Sequence, residues 1–382
     1  MKKVKLIITI LLLISLTSCM PQNTEIKYRL VISGIGLDYD KENEQYELTV
    51  QVLETSGNSE NQGKSSAPVA NYTVKGKTVA QAIRSLGENT GKYPLYSQNR
   101  MIILGSSVTD GQMIKALDFF VREYTSRPDV FIAAATGKAS DVLTIDADGE
   151  VPAKLIESAI EQSSKNSVCV DTELYNTVNI SLEETSCFTL PLIKVVNDRI
   201  PEQKTIKITG TRACSKNTEP KMMSDTETMA YLFIMNKVKA GVFSITSEKA
   251  ETALEIISSK TKTSLEIKNG RPVFSINVRC KADVVEFDSE DFSSFSESDV
   301  HRIEKSAEQY ILSGMTGLID RFTQKEHCDI FRFGKRIALK DPKLYEEFRK
   351  DLKKSLSEIE VNVTVSVKIG RIGEMTMNTD KK

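Results

Sequence analysis

Two histidines, six cysteines and a scatter of carboxylates are this chain's means for metal binding or nucleophilic chemistry, and their spacing decides what they can do. His301 and His327 stand far apart with no further ligand at metal-binding spacing, so each reads as a solvated or hydrogen-bonded side chain. Asp146-Ala147-Asp148-Gly149-Glu150 opens like a calcium loop, and Glu157 falls at its twelfth position. Such a loop needs glycine sixth, where Val151 stands, and Lys154 takes the ninth place, which leaves an acidic turn before a helix. Gly34-Ile35-Gly36-Leu37-Asp38 begins like a dinucleotide fingerprint, but Tyr39 replaces the third glycine and a strand pattern follows; these glycines instead let a strand lie against packed backbone. Ser259-Lys260-Thr261-Lys262 matches Ser-x-x-Lys without any accompanying motif. Arg122 and Arg127 flank Glu123 and precede Pro128: they can clamp an anion or serve as ion-pair partners, and they are the candidate binding residues. No base, nucleophile and metal set assembles from these residues, so no enzyme activity and no cofactor are expected.

The remaining reactive group is the thiol of Cys19. Met1-Lys2-Lys3-Val4-Lys5 precedes an apolar run, Leu6 to Leu16, and then Leu16-Thr17-Ser18-Cys19. That run is too short to span a bilayer and has the form of a secretory signal. The last four residues resemble the bacterial lipobox, whose thiol is alkylated by a diacylglyceryl group before cleavage makes the cysteine residue one. Cys19 is therefore the expected lipidation site, carrying S-diacylglycerol and N-palmitoyl chains, since two long chains hold a soluble domain on a membrane where one is marginal. With Lys2, Lys3 and Lys5 removed, a chain of net charge −1 becomes mildly acidic, which argues against nucleic acid as a partner. Trp is absent, which weakens the case for a carbohydrate platform. The five other cysteines, Cys169, Cys187, Cys214, Cys280 and Cys328, form no disulfide framework; Cys169 can pair with Cys187, and most are expected as buried small apolar side chains.

The elements that must position these residues follow from periodicity. Residues 27–37 and 46–53 read as a hairpin, 54–68 as a polar loop, and Val79, Ala82, Ile83 and Leu86 as one helix face. Further helices are expected at 110–124, 152–163, around 225–234, at 299–324 with a possible break at Gly314 and Gly317, and at 342–357. Strands are expected at 101–104, 129–135, 205–214 and 240–247, in a long pair turning at Lys268-Asn269-Gly270-Arg271-Pro272, and from Val361 to Ile369. Residues 168–196 read as strand and loop, and 248–259 as helix or strand. The fold class is α+β, multi-domain, with two to three domains of mixed and antiparallel sheets covered by helices. The expected division is signal 1–18, lipidated tether 19–26, an N-terminal region 27–196, a linker at 197–204 marked by Pro201, a C-terminal domain 205–374 and a polar tail 375–382.

Several segments, in order, resemble the Ger(x)C lipoproteins, the C subunit family of spore germinant receptors. They are the lipobox, Glu25-Ile26, Gly34 to Asp38, Arg100 to Gly105, Leu117 to Arg122 continuing to Arg127, Gly210-Thr211-Arg212-Ala213 and Asp225-Thr226-Glu227-Thr228. The pattern continues through the strands around 265–285, Asp329-Ile330-Phe331-Arg332-Phe333-Gly334, and Asp341-Pro342-Lys343 leading to the last strand. Met20-Pro21 stands where the family commonly has Trp-Asp, and Tyr345 or Leu352 where its last helix carries Trp. The resemblance implies three α/β domains on the outer face of the inner spore membrane. It also implies partnership with a multi-spanning A subunit and an integral-membrane B subunit in nutrient-triggered germination, without catalysis. A substrate-binding lipoprotein that captures a small molecule between domains is the alternative.

Overall fold

The computed structural model describes residues 28–54, 69–108, 110–123, 125–197, 203–215, 218–247, 250–287 and 296–372. The signal, Cys19, the tether, the polar loop from residue 55, most of the 197–204 linker and the tail lie outside the described residues. Strand β1 (Arg29–Asp40) and β2 (Gln45–Leu53) form the expected hairpin, with Asp40 opposite Gln45. Its turn is closed by the Asp40 carboxylate, which accepts from the backbone N–H of Glu42 and Asn43 at 3.1 and 3.2 Å.

These strands belong to a nine-stranded mixed sheet with β3 (Val69–Gly76), β4 (Tyr93–Leu95), β5 (Met101–Leu104), β6 (Phe131–Ala135), β7 (Phe188–Val196), β8 (Thr205–Ser215) and β9 (Thr218–Met223). The order is β3-β2-β1-β5-β6-β7-β8-β9, with β4 beside β1; the middle strands are parallel and both ends antiparallel. Its helices are α1 (Val79–Thr90), α2 (Asp110–Arg122), α3 (Ala139–Leu143), α4 (Pro152–Lys165) and α5 (Leu174–Ser181). Ile102 and Leu104 pack with the apolar faces of α1, α2 and Leu174 of α5, whereas Met101 and Ile103 point the other way, into α3 and α4. This alternation makes a strand buried on both sides read as one continuous apolar run.

The second sheet has the simple order of β10 (Val242–Ser247), β11 (Ala250–Lys268), β12 (Arg271–Phe287) and β13 (Glu360–Ile372), the last pair parallel. Asn269 and Gly270, at φ 52° and 77°, make the two-residue turn that right-handed strand twist favours. One side of this sheet packs on α6 (Asp225–Ile234), α7 (Glu297–Asp320), α8 (Phe333–Lys340), α9 (Pro342–Phe348) and α10 (Leu352–Ser357). Reciprocal capping boxes, Ser224 with Glu227 and Ser296 with Asp299, start α6 and α7.

The chain departs from expectation at several points. Residues 168–196 contain helix α5, whose Thr-, Asn- and Ser-rich sequence has weak helix propensity and is held by packing. Helix α7 runs through Gly314 and Gly317, and the irregularity comes later, as a π-type turn at Arg321–Lys325; a Cβ at Gly314 would only touch Ala230 of α6 at an ordinary 3.7 Å. The single helix expected at 342–357 is two, because Asp341 and Asp351 each cap a new start. The ambiguous 248–259 stretch is strand β11. Finally, β7 and β8 pair from Phe188↔Cys214 to Val196↔Thr205, so the segment around 197–204 joins neighbouring strands of one sheet. Strands 205–223 thus extend the first sheet, since Pro and polar residues mark a hairpin tip as readily as a domain linker.

Candidate functional site

The two sheets meet at a junction built from the segment after α5 and the segment after α7. Cys187 and Cys328, both buried, are joined by a disulfide spanning 141 residues with Cα atoms 6.0 Å apart. The alternative pairing of Cys169 with Cys187 is thereby excluded: Cys169 and Cys280 are free and buried, and Cys214 is buried. Beside the bond, Cys187 N–H donates to the Asp329 carbonyl at 3.0 Å. The Asp329 side chain, 1% exposed, accepts from the backbone N–H of Phe333 and Gly334 at 2.8 Å each, so it closes the start of α8. Burial raises its carboxyl pKa to about 6 against the opposing pull of those two N–H groups. Gly334 is required here, because a Cβ would overlap Thr185 Oγ1 of the opposite segment.

Arg332 adopts the left-handed conformation, φ 59°, which swings its guanidinium onto Glu183. Its Nε donates to Oε2 at 3.1 Å and a second N–H to Oε1, while Lys335 Nζ reaches Oε1 at 2.6 Å. Burial is the largest influence on Glu183 and opposes its ionisation, but Arg332, Lys335 and Ser186 together hold its carboxyl below the usual range. These groups line a cleft of about 600 Å³, together with Asn176, Asn179, Thr189, Lys237 and the buried Tyr231. At its margin Lys239 pairs with Asp171 at 3.1 Å. The cleft offers amide, hydroxyl and ammonium groups to a small polar molecule. Its one cysteine, Cys187, is committed to the disulfide.

The other motifs also resolve into joints. Gly34 and Gly36 admit helices directly onto β1: a Cβ would lie 2.8 Å from Ala153 Cβ and 3.2 Å from Ala139 respectively. Asp38 accepts from the N–H of Ala139 and Ser140 at 3.0 and 3.2 Å, and Gly105 leaves room for that carboxylate. Arg100 bridges β5 to α4 through Glu157 at 2.6 Å. Gly210, at φ 82°, passes against the Met223 carbonyl. Glu227 of the α6 capping box pairs with Arg321 at 2.7 Å, and Arg321 also donates to the Met222 carbonyl at 3.1 Å, tying β9 to the end of α7.

The residues singled out beforehand lie elsewhere. Arg122 pairs with Asp118 at 2.7 Å one turn back, and Arg127 grips Asp129 through two hydrogen bonds of 2.9 and 2.6 Å. Each arginine is spent on a neighbouring carboxylate, and neither lines the cleft. His301 lies 3.9 Å from Glu304, and His327 Nδ1 is 3.0 Å from the Thr323 carbonyl. Among the described residues no three metal-capable side chains converge, and no helix is long and apolar enough to cross a membrane. Sequence reasoning missed the disulfide and the Glu183–Arg332 pair, whose partners are too far apart in sequence for spacing to reveal.

Residues 22–195 match the spore germination protein N-terminal domain, and residues 220–373 match the family described as spore germination B3/GerAC like, C-terminal. The chain belongs to the Ger(x)C family. Spore germination protein B3 of Bacillus subtilis (strain 168) is 25% identical over 348 residues, covering 88% of this chain and 90% of that protein. Spore germination protein A3 of the same organism is 26% identical over 201 residues, 52% of this chain and 53% of the relative. The crystal structure of the GerBC protein superposes with a TM-score of 0.58 at 22% identity, over 88% of this chain and 97% of that one. That likeness establishes the α+β, two-sheet fold of a Ger(x)C protein.

Proposed function

We propose that this Ger(x)C protein is the non-enzymatic, lipid-anchored C subunit of a spore germinant receptor. In this reading it is held on the outer surface of the inner spore membrane through Cys19 and acts with membrane A and B subunits in nutrient-triggered germination. The observation that carries the reading is the match of both family domains along the chain, in a molecule whose quoted motifs serve as caps, close approaches and joints. A lipid anchor supports such a role physically: confinement to a surface raises the effective concentration of membrane partners, so modest interfaces suffice. Deletion of the gene, with paralogues removed, is expected to abolish germination by one class of nutrient while spores still form, and Cys19→Ala is expected to weaken the same response. Normal germination of the deletion strain with every nutrient refutes the role. Co-purification with a multi-spanning subunit and a transporter-like subunit tests the partners.

The junction cleft favours one second reading, capture of a small polar molecule between the two sheets, since Asn176, Asn179 and Lys237 line it. Isothermal titration of the protein with amino acids and sugars checks this, and absence of heat with all of them removes it.

A further inference from the structure

The second sheet carries its helices on one side. On the other, the residues of opposite parity along β11, β12 and β13 are exposed, and the register sets them in rows. Lys260 stands opposite Arg279, Lys262 opposite Asn277 and Ser258 opposite Lys281; Arg279, Asn277 and Lys281 then face Ser366, Thr364 and Lys368 of β13. Lys368 reaches Glu304 at 3.2 Å. Among the described residues Lys260, Lys262, Arg279 and Lys281 have no carboxylate within 4 Å. The acids of the same face are engaged or gathered beyond Lys281: Glu266 holds Lys268 at 3.2 Å, Asp283 accepts the Arg371 N–H at 3.0 Å and stands opposite Glu255, Glu286 stands opposite Ala253, and Glu360 begins β13. Like charges directly opposed across a ladder disfavour folding, so the Lys260–Arg279 row has no structural reason within the sheet. It lines a shallow groove of about 500 Å³ with Lys262, Asn277, Thr364 and Ser366.

Beyond Lys281 two β-bulges break the β11/β12 ladder, the first beside Lys281 and the second between Asp283 and Glu286. Their extra residues are Ile257 and Val285, 52% and 51% exposed, which the register places on the same face as Lys281. A bulge frees its extra residue from cross-strand pairing and re-aims it, and here both such positions put an aliphatic side chain into solvent.

We infer that this face is a docking surface for anionic phospholipid headgroups. Dispersed cations on a flat face, with aliphatic side chains at their margin, fit the bilayer interface, where charge attracts the surface and short apolar groups enter the headgroup boundary. A protein partner needs a desolvated apolar centre, and the middle of this face is Ser, Thr and Asn. The inference holds whether or not Cys19 is acylated and is independent of the receptor role.

The test uses the full chain with Cys19→Ala, so that no acyl chain contributes, and vesicles of phosphatidylcholine alone or in equal parts with phosphatidylglycerol. The expected result is preferential partition onto the phosphatidylglycerol vesicles. K260Q/K262Q/R279Q lowers that partition about a hundredfold, at roughly fivefold per charge, whereas K77Q/R84Q/K92Q, an equal change at exposed cations of the first sheet's region, leaves it unchanged. All three proteins share one N-terminus, so their differences report the face. Because the chain has no Trp, Ile257→Trp supplies a single reporter whose emission shifts to the blue on the phosphatidylglycerol vesicles. Equal partition of the two triple variants, or unshifted emission at saturating vesicles, overturns the inference. Binding to polyglutamate with no preference between the vesicles assigns the face to an acidic protein and overturns it too.

Discussion

The Cys187–Cys328 bond joins the start of β7 in the first sheet to the turn that follows α7 over the second, and its loss has a calculable effect. A cross-link over 141 residues removes chain entropy from the unfolded ensemble; the loop-closure relation gives about 5 kcal/mol at 25 °C. Replacing both half-cystines by alanine also deletes two buried sulfurs, roughly 1 kcal/mol each when the area they cover is lost. Engineered and native bridges often deliver less than the entropic figure, so a loss of about 3–6 kcal/mol is expected for Cys187→Ala/Cys328→Ala. The variant should still fold, because the Cys187 N–H bond to the Asp329 carbonyl, the Ser186↔Asp329 bridge and the Glu183–Arg332–Lys335 cluster hold the same seam. The assay is urea unfolding of the oxidised protein, the reduced protein and the double variant, followed by far-UV circular dichroism. A peptide map under non-reducing conditions verifies that Cys187 and Cys328 are the linked pair. Reduction should lower the midpoint of the native protein to near that of the double variant and leave the variant itself unmoved. A midpoint indifferent to reductant, or a shift under about 1 kcal/mol, refutes the claim that the bond holds the two sheets together.

Asp329 and its neighbours set opposite pH dependences. Its carboxyl rises from 3.8 to about 6 on folding, so the folded state binds the extra proton and stability increases as pH falls from about 6 to about 4, by about 3 kcal/mol. Glu183, Glu227, Glu308 and Glu326 are depressed instead, and the stability they supply is lost as pH falls below their unfolded value of 4.5. Thermal melts across this range should therefore show a maximum near pH 5, and Asp329→Asn should remove the rise on its alkaline side. Gly36→Val forces methyl groups into the Ala139 backbone, where a Cβ alone would lie at 3.2 Å. It should cost about 2 kcal/mol in urea unfolding, whereas Gly111→Ala, with nothing within 4 Å, should be neutral or stabilising. Arg332→Gly keeps the left-handed backbone but removes the guanidinium; the Glu183 carboxyl should then titrate higher by NMR, with a stability loss of about 2 kcal/mol.

The regular elements were legible because each carries a local signature. The Lys268–Pro272 turn, the β1–β2 hairpin and the apolar stripe of α1 follow from residue type and period alone, and the structure matches them. Helix α5 was not legible, since Leu174, Thr177 and Ser181 form its buried face with a single large apolar side chain. The assignment of strands 205–223 was lost for a related reason: Pro201 and its polar neighbours say where the chain turns, but strand order depends on which faces find partners. The junction itself lay beyond sequence reasoning. Glu183 meets Arg332 across 149 residues, and at such distances no periodicity links the partners.

The quoted motifs divide the molecule in a way that bears on where it acts. Gly34, Gly36, Asp38 and Gly105 seat α3 and α4 on β1; Asp329 to Gly334 and the Glu227–Arg321 pair fasten the first sheet to the second. These residues face inward, toward caps and seams, and hold the helices and sheets together. A rigid body with interior motifs must meet its surroundings through side chains that packing does not dictate. Of those, the in-register cations Lys260, Arg279 and Lys281 are the group whose placement works against the fold that carries them. Interior joints and an unpaired basic face thus have separable consequences: loss of the joints lowers stability, whereas loss of the face leaves stability intact and changes only what the surface binds.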